Sequence, residues 1–268
     1  MTSPHVLVVE DNPVNQRVTL TILRQIGIGA DLAEDGLQAI TMFKSKQYAL
    51  VLMDCQLPRL DGWGATRAIR RLEEGTPNHV TIIALTAQAL AGDREKCLQS
   101  GMDDYLTKPV NAQLLQQTVR AVLKNAASRQ LASPATPPTA MGAMPDSLIG
   151  NDLAVSHMIL DAEIVATIRG FGTEGMRDVY GIMLNDLPQR RRQLALALQQ
   201  LDAKTLAAVA HGVKGACGTV GARALGQAAA QLERLGRAQD LEAATQMWGL
   251  VDELFAKTLT EMKGLVTE

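Results

Sequence analysis

The feature that most constrains this chain is a break in its periodicity at a proline-rich tract. Ser133-Pro134-Ala135-Thr136-Pro137-Pro138-Thr139-Ala140, followed by Pro145, repeats with neither the helical nor the strand period. Upstream, short apolar runs alternate with amphipathic stretches, and strands are expected at His5-Val9, Ala30-Ala33, Ala49-Met53, Val80-Ala84 and Asp104-Thr107. Downstream, nearly every stretch reads as helix: Ala162-Ile168, Glu174-Leu201, Ala203-Thr219, Arg223-Leu235 and Leu241-Val266. A chain of 268 residues can bury one large core or two modest ones, and the change of pattern selects two. The expected division is 1–127, a linker over 128–150, and 151–268. About twenty such linker residues reach roughly 60 Å when fully extended, so a loose orientation of the two domains is expected.

Five strands alternating with helices imply a parallel sheet covered on both faces, with right-handed crossovers. The helical half implies a bundle. Asn12 can cap the first helix with Pro13 at its first position, and Asn111 can cap the last helix of the first domain, Ala112 to about Lys124. Pro188 lies inside the second bundle helix, where a kink or break is expected.

Charge excludes some functions. The 26 basic and 28 acidic side chains leave a formal net charge of -2, without the basic excess of a nucleic-acid-binding protein, and the second half has no basic recognition helix. No apolar run approaches the roughly 20 residues that span a bilayer, and the N-terminus lacks the layout of a signal peptide. No membrane insertion and a cytoplasmic location are therefore expected. Cys55, Cys97 and Cys217 are odd in number and far apart, which suits a reducing compartment and gives no metal-type spacing.

Polar groups collect at the expected strand ends. Glu10 and Asp11 follow the first strand, Asp54 the third, Thr86 the fourth and Lys108 the fifth. In an open parallel sheet such ends converge on the crevice where strand order reverses. Clustered carboxylates raise one another's pKa unless a cation neutralises them, and an all-oxygen site with few ligands suits Mg²⁺. Asp54 then fits a phosphoryl acceptor, with Lys108 and Thr86 taking up charge on the transferred group. Taken singly, Asp11 reads equally as a helix cap and Lys108 as a solvated charge; their joint order along successive strands carries the inference.

Val8-Val9-Glu10-Asp11-Asn12, Met53-Asp54-Cys55-Gln56-Leu57-Pro58, Asp61-Gly62, Leu85-Thr86-Ala87 and Leu106-Thr107-Lys108-Pro109 resemble the motifs of a response-regulator receiver domain over roughly residues 4 to 125. The resemblance implies a flavodoxin-like (βα)5 fold with Asp54 as the phosphorylated residue. It implies Mg²⁺ held by Asp11, Asp54 and the Gln56 backbone carbonyl, with Glu10 contributing through water, and a cis peptide at Lys108-Pro109. Tyr105 matches the family's aromatic switch position, whose rotamer follows Thr86; packing at a buried edge remains an equal reading of that residue.

The second half offers a different phosphoacceptor. Ala210-His211-Gly212-Val213-Lys214-Gly215-Ala216-Cys217-Gly218-Thr219-Val220-Gly221-Ala222 carries four glycines where helix is expected, each costing about 1 kcal/mol relative to alanine in a helix interior. His211, Lys214, Gly215 and Gly218 fall at i, i+3, i+4 and i+7, so one face presents a nucleophile, a cation and then bare backbone for a docking protein. A neutral imidazole attacks phosphorus, and the lysine one turn away stabilises the transferred group. The segment resembles the histidine-containing phosphotransfer (HPt) domain over about Leu160 to Leu265, with Gly212 and Gly218 standing where that family more often carries larger residues. His5, His79 and His157 lack comparable surroundings and read as structural. Arg190-Arg191-Arg192 reads as a solvated helix face or as a patch that steers an acidic partner.

Together the resemblances imply a phosphorelay protein that accepts a phosphoryl group on Asp54 and exchanges it through His211 with its own or a downstream receiver aspartate. The implied partners are a histidine kinase and a downstream response regulator, since no ATP-binding kinase domain is read in this chain. The same layout resembles the C-terminal part of hybrid sensor histidine kinases, so an excised tail is the alternative to an independent protein. A binding module in which phosphorylated Asp54 only changes domain contacts, with His211 idle, is a second class. An aspartate-nucleophile phosphatase would need a second aspartate two residues after Asp11, where Pro13 stands.

Overall fold

The computed structural model describes residues 4–86, 91–129 and 159–267. The proline-rich tract, Ala87 and His157 lie outside them. In the first domain the strands are β1 (His5–Val9), β2 (Gly29–Ala33), β3 (Leu50–Asp54), β4 (Thr81–Thr86) and β5 (Asp104–Thr107). They are parallel throughout, in the order β2-β1-β3-β4-β5. Alternate residues serve opposite faces: Val6, Val8, Leu50, Leu52, Ile83 and Leu85 point to one core, while Leu7, Val9, Val51, Met53, Ile82 and Ala84 point to the other. Burial on both sides explains why the strands read as nearly continuous apolar runs. Chain order reverses between β1 and β3, which opens the crevice at their C-terminal ends.

The helices of this domain are α1 (Pro13–Gln25), α2 (Gly36–Ser45), α3 (Gly62–Glu73), α4 (Ala91–Gln99) and α5 (Ala112–Arg129). Asn12 caps α1, its side chain accepting from the Val14 N–H at 3.0 Å, with Pro13 at the first position. Asn111 accepts from the Leu114 N–H at 3.0 Å at the start of α5. That last helix runs beyond the expected end near Lys124, so the boundary expected at 127 falls inside it. The sequence after Lys124 holds no glycine or proline before Pro134, and nothing local stops the helix.

The second half comprises α6 (Ala162–Arg169), α7 (Gly172–Gln199), α8 (Ala203–Val220), α9 (Arg223–Arg237) and α10 (Leu241–Thr267). The four long helices form a ring in which α7 meets α8 and α10, and α9 meets both of those. Pro188 does not break α7, which continues through it. Met183 and Leu187 before it and Leu194 after it are all fully buried, and packing on both sides outweighs the missing N–H. Gly221 is not an interior glycine: at φ 79° it ends α8 in the left-handed region, and the Ala222 N–H donates to the Cys217 carbonyl.

The two halves are docked through α1, which packs on α7 and α8. Direct contacts join the two halves where the linker alone would leave them unconstrained. Asn12 Nδ2 donates to the Gly212 carbonyl at 3.2 Å, Thr219 Oγ1 donates to Asn15 Oδ1 at 2.5 Å, and Arg17 pairs with Asp178. Apolar contact is also continuous from the sheet face beneath α1 and α5 into the bundle.

Candidate functional site

Four of the five strands, all but β2, bring polar groups to their C-terminal ends: Glu10 and Asp11 after β1, Asp54 on β3, Thr86 on β4 and Lys108 after β5. Glu10 and Asp54 are almost fully buried, and the carboxylate oxygens of Glu10, Asp11 and Asp54 lie within 4.8 Å of one another. Lys108 Nζ bridges the pair, 2.5 Å from Glu10 Oε2 and 2.6 Å from Asp54 Oδ2. Thr86 is buried at the end of β4, and its carbonyl accepts the Lys108 N–H at 2.7 Å, which fixes the lysine's backbone against that strand. The Lys108-Pro109 peptide is cis. The Gln56 N–H donates to Asp54 Oδ1 at 3.0 Å, placing the Gln56 backbone at the mouth of the site. Tyr105 is half-buried against the core on the α2 and α3 side.

Electrostatics follow from that crowding. Burial pushes the Glu10 carboxyl up to about 7, with the Lys108 ammonium opposing and the Asp54 charge adding to it. Desolvation and then the charge of Asp54 raise Asp11 as well. Burial works against the Lys108 charge, but the two carboxylates outweigh it and hold the lysine above its ordinary value. Three acids with one lysine leave an excess of hard oxygen donors, a set able to hold a divalent cation.

On α8, His211 Nδ1 lies 2.8 Å from Glu233 Oε1, and Lys214 Nζ donates to Glu233 Oε2 at 2.7 Å. Arg237 Nη2 donates to the same carboxylate at 2.5 Å. Burial alone would raise the Glu233 pKa, yet its bonds to His211 and Lys214 hold it down to about 2. A carboxylate that is always ionised near neutral pH only accepts, so Nδ1 of His211 carries the proton and Nε2 of the neutral ring carries the lone pair.

Asp54, Lys108 and Asp11 from the first domain and His211, Lys214 and Arg190 from the bundle line one cavity of about 500 Å³. The sequence matches the response regulator receiver domain over residues 6–120 and the Hpt domain over residues 178–262. The chain carries a receiver domain and an Hpt domain. It is 46% identical over 119 residues to hybrid signal transduction histidine kinase I of Dictyostelium discoideum, a match covering 42% of this chain and 7% of that protein. It is 44% identical over 118 residues to the sensor protein GacS of Pseudomonas syringae pv. syringae, covering 44% of this chain and 13% of that one. Among solved structures it is similar to the receiver domain of sensor histidine kinase PA1611 from Pseudomonas aeruginosa PAO1, with a magnesium ion coordinated in its active-site cleft. That similarity is 47% identical, covers 46% of this chain and 99% of that domain, and has a TM-score of 0.42. The chain thus corresponds to a small part of the length of these kinases.

Of the receiver residues singled out in the sequence, Glu10, Asp11, Asp54, Gln56 and Lys108 line the cavity together with His211 and Lys214, while Thr86 lies at the end of β4 and Tyr105 packs against the core on the α2 and α3 side. Gly215 lies beside the receiver, where an added Cβ would come 4.0 Å from Asn15 Nδ2, whereas a Cβ on Gly218 would meet nothing within 4 Å. Both line the cavity, so the glycine face does front the receiver. The three arginines of α7 are not a bare solvated patch: Arg190 pairs with Asp186, Arg191 binds Asp252 through two nitrogens, and Arg192 Nε donates to the Pro188 carbonyl. Sequence reasoning missed Glu233. Its signal was an acid next to Leu232 and one turn from Ala229 on the buried stripe of α9, where a charge requires partners. It also missed Asn15 and Asn12 as interdomain contacts, because both serve their own domain first: Asn12 as a cap and Asn15 by donating to Glu10 Oε1 at 2.9 Å.

Proposed function

We propose that this chain is a two-component phosphorelay protein that takes a phosphoryl group onto Asp54 from the phosphohistidine of a kinase and exchanges it with His211. The observation that carries the reading is that Asp54 and His211, on different domains, line one cavity. From His211 the group would pass to the receiver aspartate of a downstream response regulator. No helix among the described residues is long and apolar enough to cross a membrane, and three free buried cysteines fit the reducing cytoplasm in which we place the chain. Similarity to two kinases of which the matches span only 7% and 13% also supports a unit that works beside a kinase core, in the same polypeptide or as a separate one.

Asp11, Asp54 and the Gln56 backbone carbonyl, with Glu10 behind them, would hold Mg²⁺, which when bound neutralises the oxygens of acceptor and phosphoryl group. Asp54 supplies the accepting oxygen. Lys108, held charged by Glu10 and Asp54, has its ammonium where negative charge gathers during transfer, and Thr86 offers a hydroxyl at the adjoining strand end. In the onward step the Nε2 lone pair of His211 forms the new N–P bond. The P–O bond to Asp54 breaks, and its electron pair returns to the carboxylate. No proton leaves the ring, because Nδ1–H stays on Glu233 and the product imidazolium keeps that partner. The reverse step balances in the same way.

The test supplies radiolabelled acetyl phosphate and Mg²⁺ as donor and reads the chemical stability of protein-bound label. Wild type should carry both a base-labile acyl phosphate and an acid-labile, base-stable phosphoramidate. His211→Gln should carry only the first and Asp54→Asn neither. If Asp54 charges and the phosphoramidate never appears, His211 is idle and the chain is a phosphorylation-switched binding module.

A further inference from the structure

Resting on the relay reading above, we propose that Arg190 is a phosphoryl-facing residue of the Hpt site, admitted to the His211 face because position 212 is glycine. On a helix, positions 212 and 214 lie about 100° and 60° from position 211 in opposite directions. Lys214 therefore flanks His211 on the α9 side, where Glu233 holds it, and Gly212 flanks it on the α7 side. The guanidinium of Arg190, from α7, occupies the space a side chain at 212 would need. A methyl group there would collide with Nη1 and come within 3.2 Å of Cζ. Arg190 pairs with Asp186 through Nε, so the anchoring bond leaves the outer fork of the guanidinium for other acceptors.

Arg190 lines the cavity shared with Asp54 and Lys108, and the Gly212 carbonyl accepts from Asn12 of the receiver, so Gly212 sits where α7, α8 and the receiver meet. A phosphoryl group moving between Asp54 and His211 spreads its charge over three equatorial oxygens. With Lys214 on one side of His211 and Arg190 on the other, the Hpt domain brackets those oxygens with two cations. A planar guanidinium fork suits phosphoryl oxygens better than a second ammonium. Arg190 forms no bond to phosphorus and moves no proton; its contribution is charge placed where the transferring group gathers it.

The experiment follows transfer in the full chain after a pulse of radiolabelled acetyl phosphate with Mg²⁺. It is run on wild type, Arg190→Ala, Arg190→Lys, Gly212→Ala and the Arg190→Ala/Gly212→Ala double variant. Charging of Asp54 is measured separately in a His211→Gln background. Arg190→Ala should leave Asp54 charging unchanged and slow appearance of phosphoramidate about tenfold or more, the usual scale for losing one charge-stabilising contact. Arg190→Lys should recover part of the rate. Gly212→Ala should match Arg190→Ala by displacing the guanidinium, and the double variant should be no slower than Arg190→Ala, because the three atoms nearest that methyl all belong to the Arg190 guanidinium. Wild-type transfer by Arg190→Ala overturns the proposal. So do losses that multiply in the double variant, which would mean that Gly212→Ala acts on docking alone. If wild type itself charges Asp54 but never His211, the relay reading fails and the proposal falls with it.

Discussion

At the residue scale, the proposed relay divides the chemistry unequally between Asp54 and His211. Asp54 sits among its own catalytic groups, with Lys108 bridging it to Glu10, while His211 offers a nucleophile oriented by one carboxylate. Lys108→Ala or Asp11→Asn should therefore abolish charging of Asp54 from any donor, a loss of at least about 100-fold, whereas Lys214→Ala should slow transfer at His211 only about tenfold. Single-turnover rates measure both, and reversed severities would contradict the division. Glu233 supports a second expectation. Its pKa falls from 4.5 to about 2 on folding, because its bonds to His211 and Lys214 outweigh the burial that would raise it; Arg237 is its third cationic partner. A depressed carboxylate stabilises the fold above its unfolded pKa and loses that contribution as pH falls through the folded value. Glu233→Gln should cost about 1–3 kcal/mol at neutral pH, and its deficit against wild type should close between about pH 4.5 and pH 2. Denaturant titrations across that range check the sign.

At the element scale, much was legible in the sequence. The strand and helix positions follow from period and capping, since β1, β3 and β4 are apolar on both faces and Glu10, Asp11 and Asp54 fall one or two residues beyond a buried run. Three things were not legible. The passage of α7 through Pro188 depends on packing partners far along the chain. The length of α5 reflects only the absence of a breaker. The role of Gly221 needs a backbone angle: at φ 79°, a Cβ would crowd the Cβ atoms of Ile164 and Asp161 at 3.1 and 3.2 Å, beside the bond from the Asp161 N–H to the Gly221 carbonyl. Gly221→Ala should destabilise the bundle by about 1–3 kcal/mol, read as a lower thermal midpoint. An equal change at Gly218, where a Cβ would meet nothing within 4 Å and the backbone is helical, should be neutral or stabilising.

At the scale of the whole molecule, the docking of α1 on α7 and α8 turns two independent motifs into one chamber. Motifs in a sequence point to candidate residues for phosphoryl chemistry; they do not state that Asn12 reaches Gly212 or that Asn15 joins Thr219 to the acid pocket through Glu10. Those contacts favour transfer inside one chain over transfer between chains. Linked sites meet at an effective concentration that is millimolar for a suitable linker, far above that of a dilute protein. The direct measurement is the rate at which label passes from Asp54 to His211 as protein concentration is varied, in wild type and in an equimolar mixture of Asp54→Asn with His211→Gln chains. Wild type should transfer at a rate independent of concentration, and the mixture slowly, in proportion to concentration. A wild-type rate that rises linearly with concentration and is equalled by the mixture would contradict it.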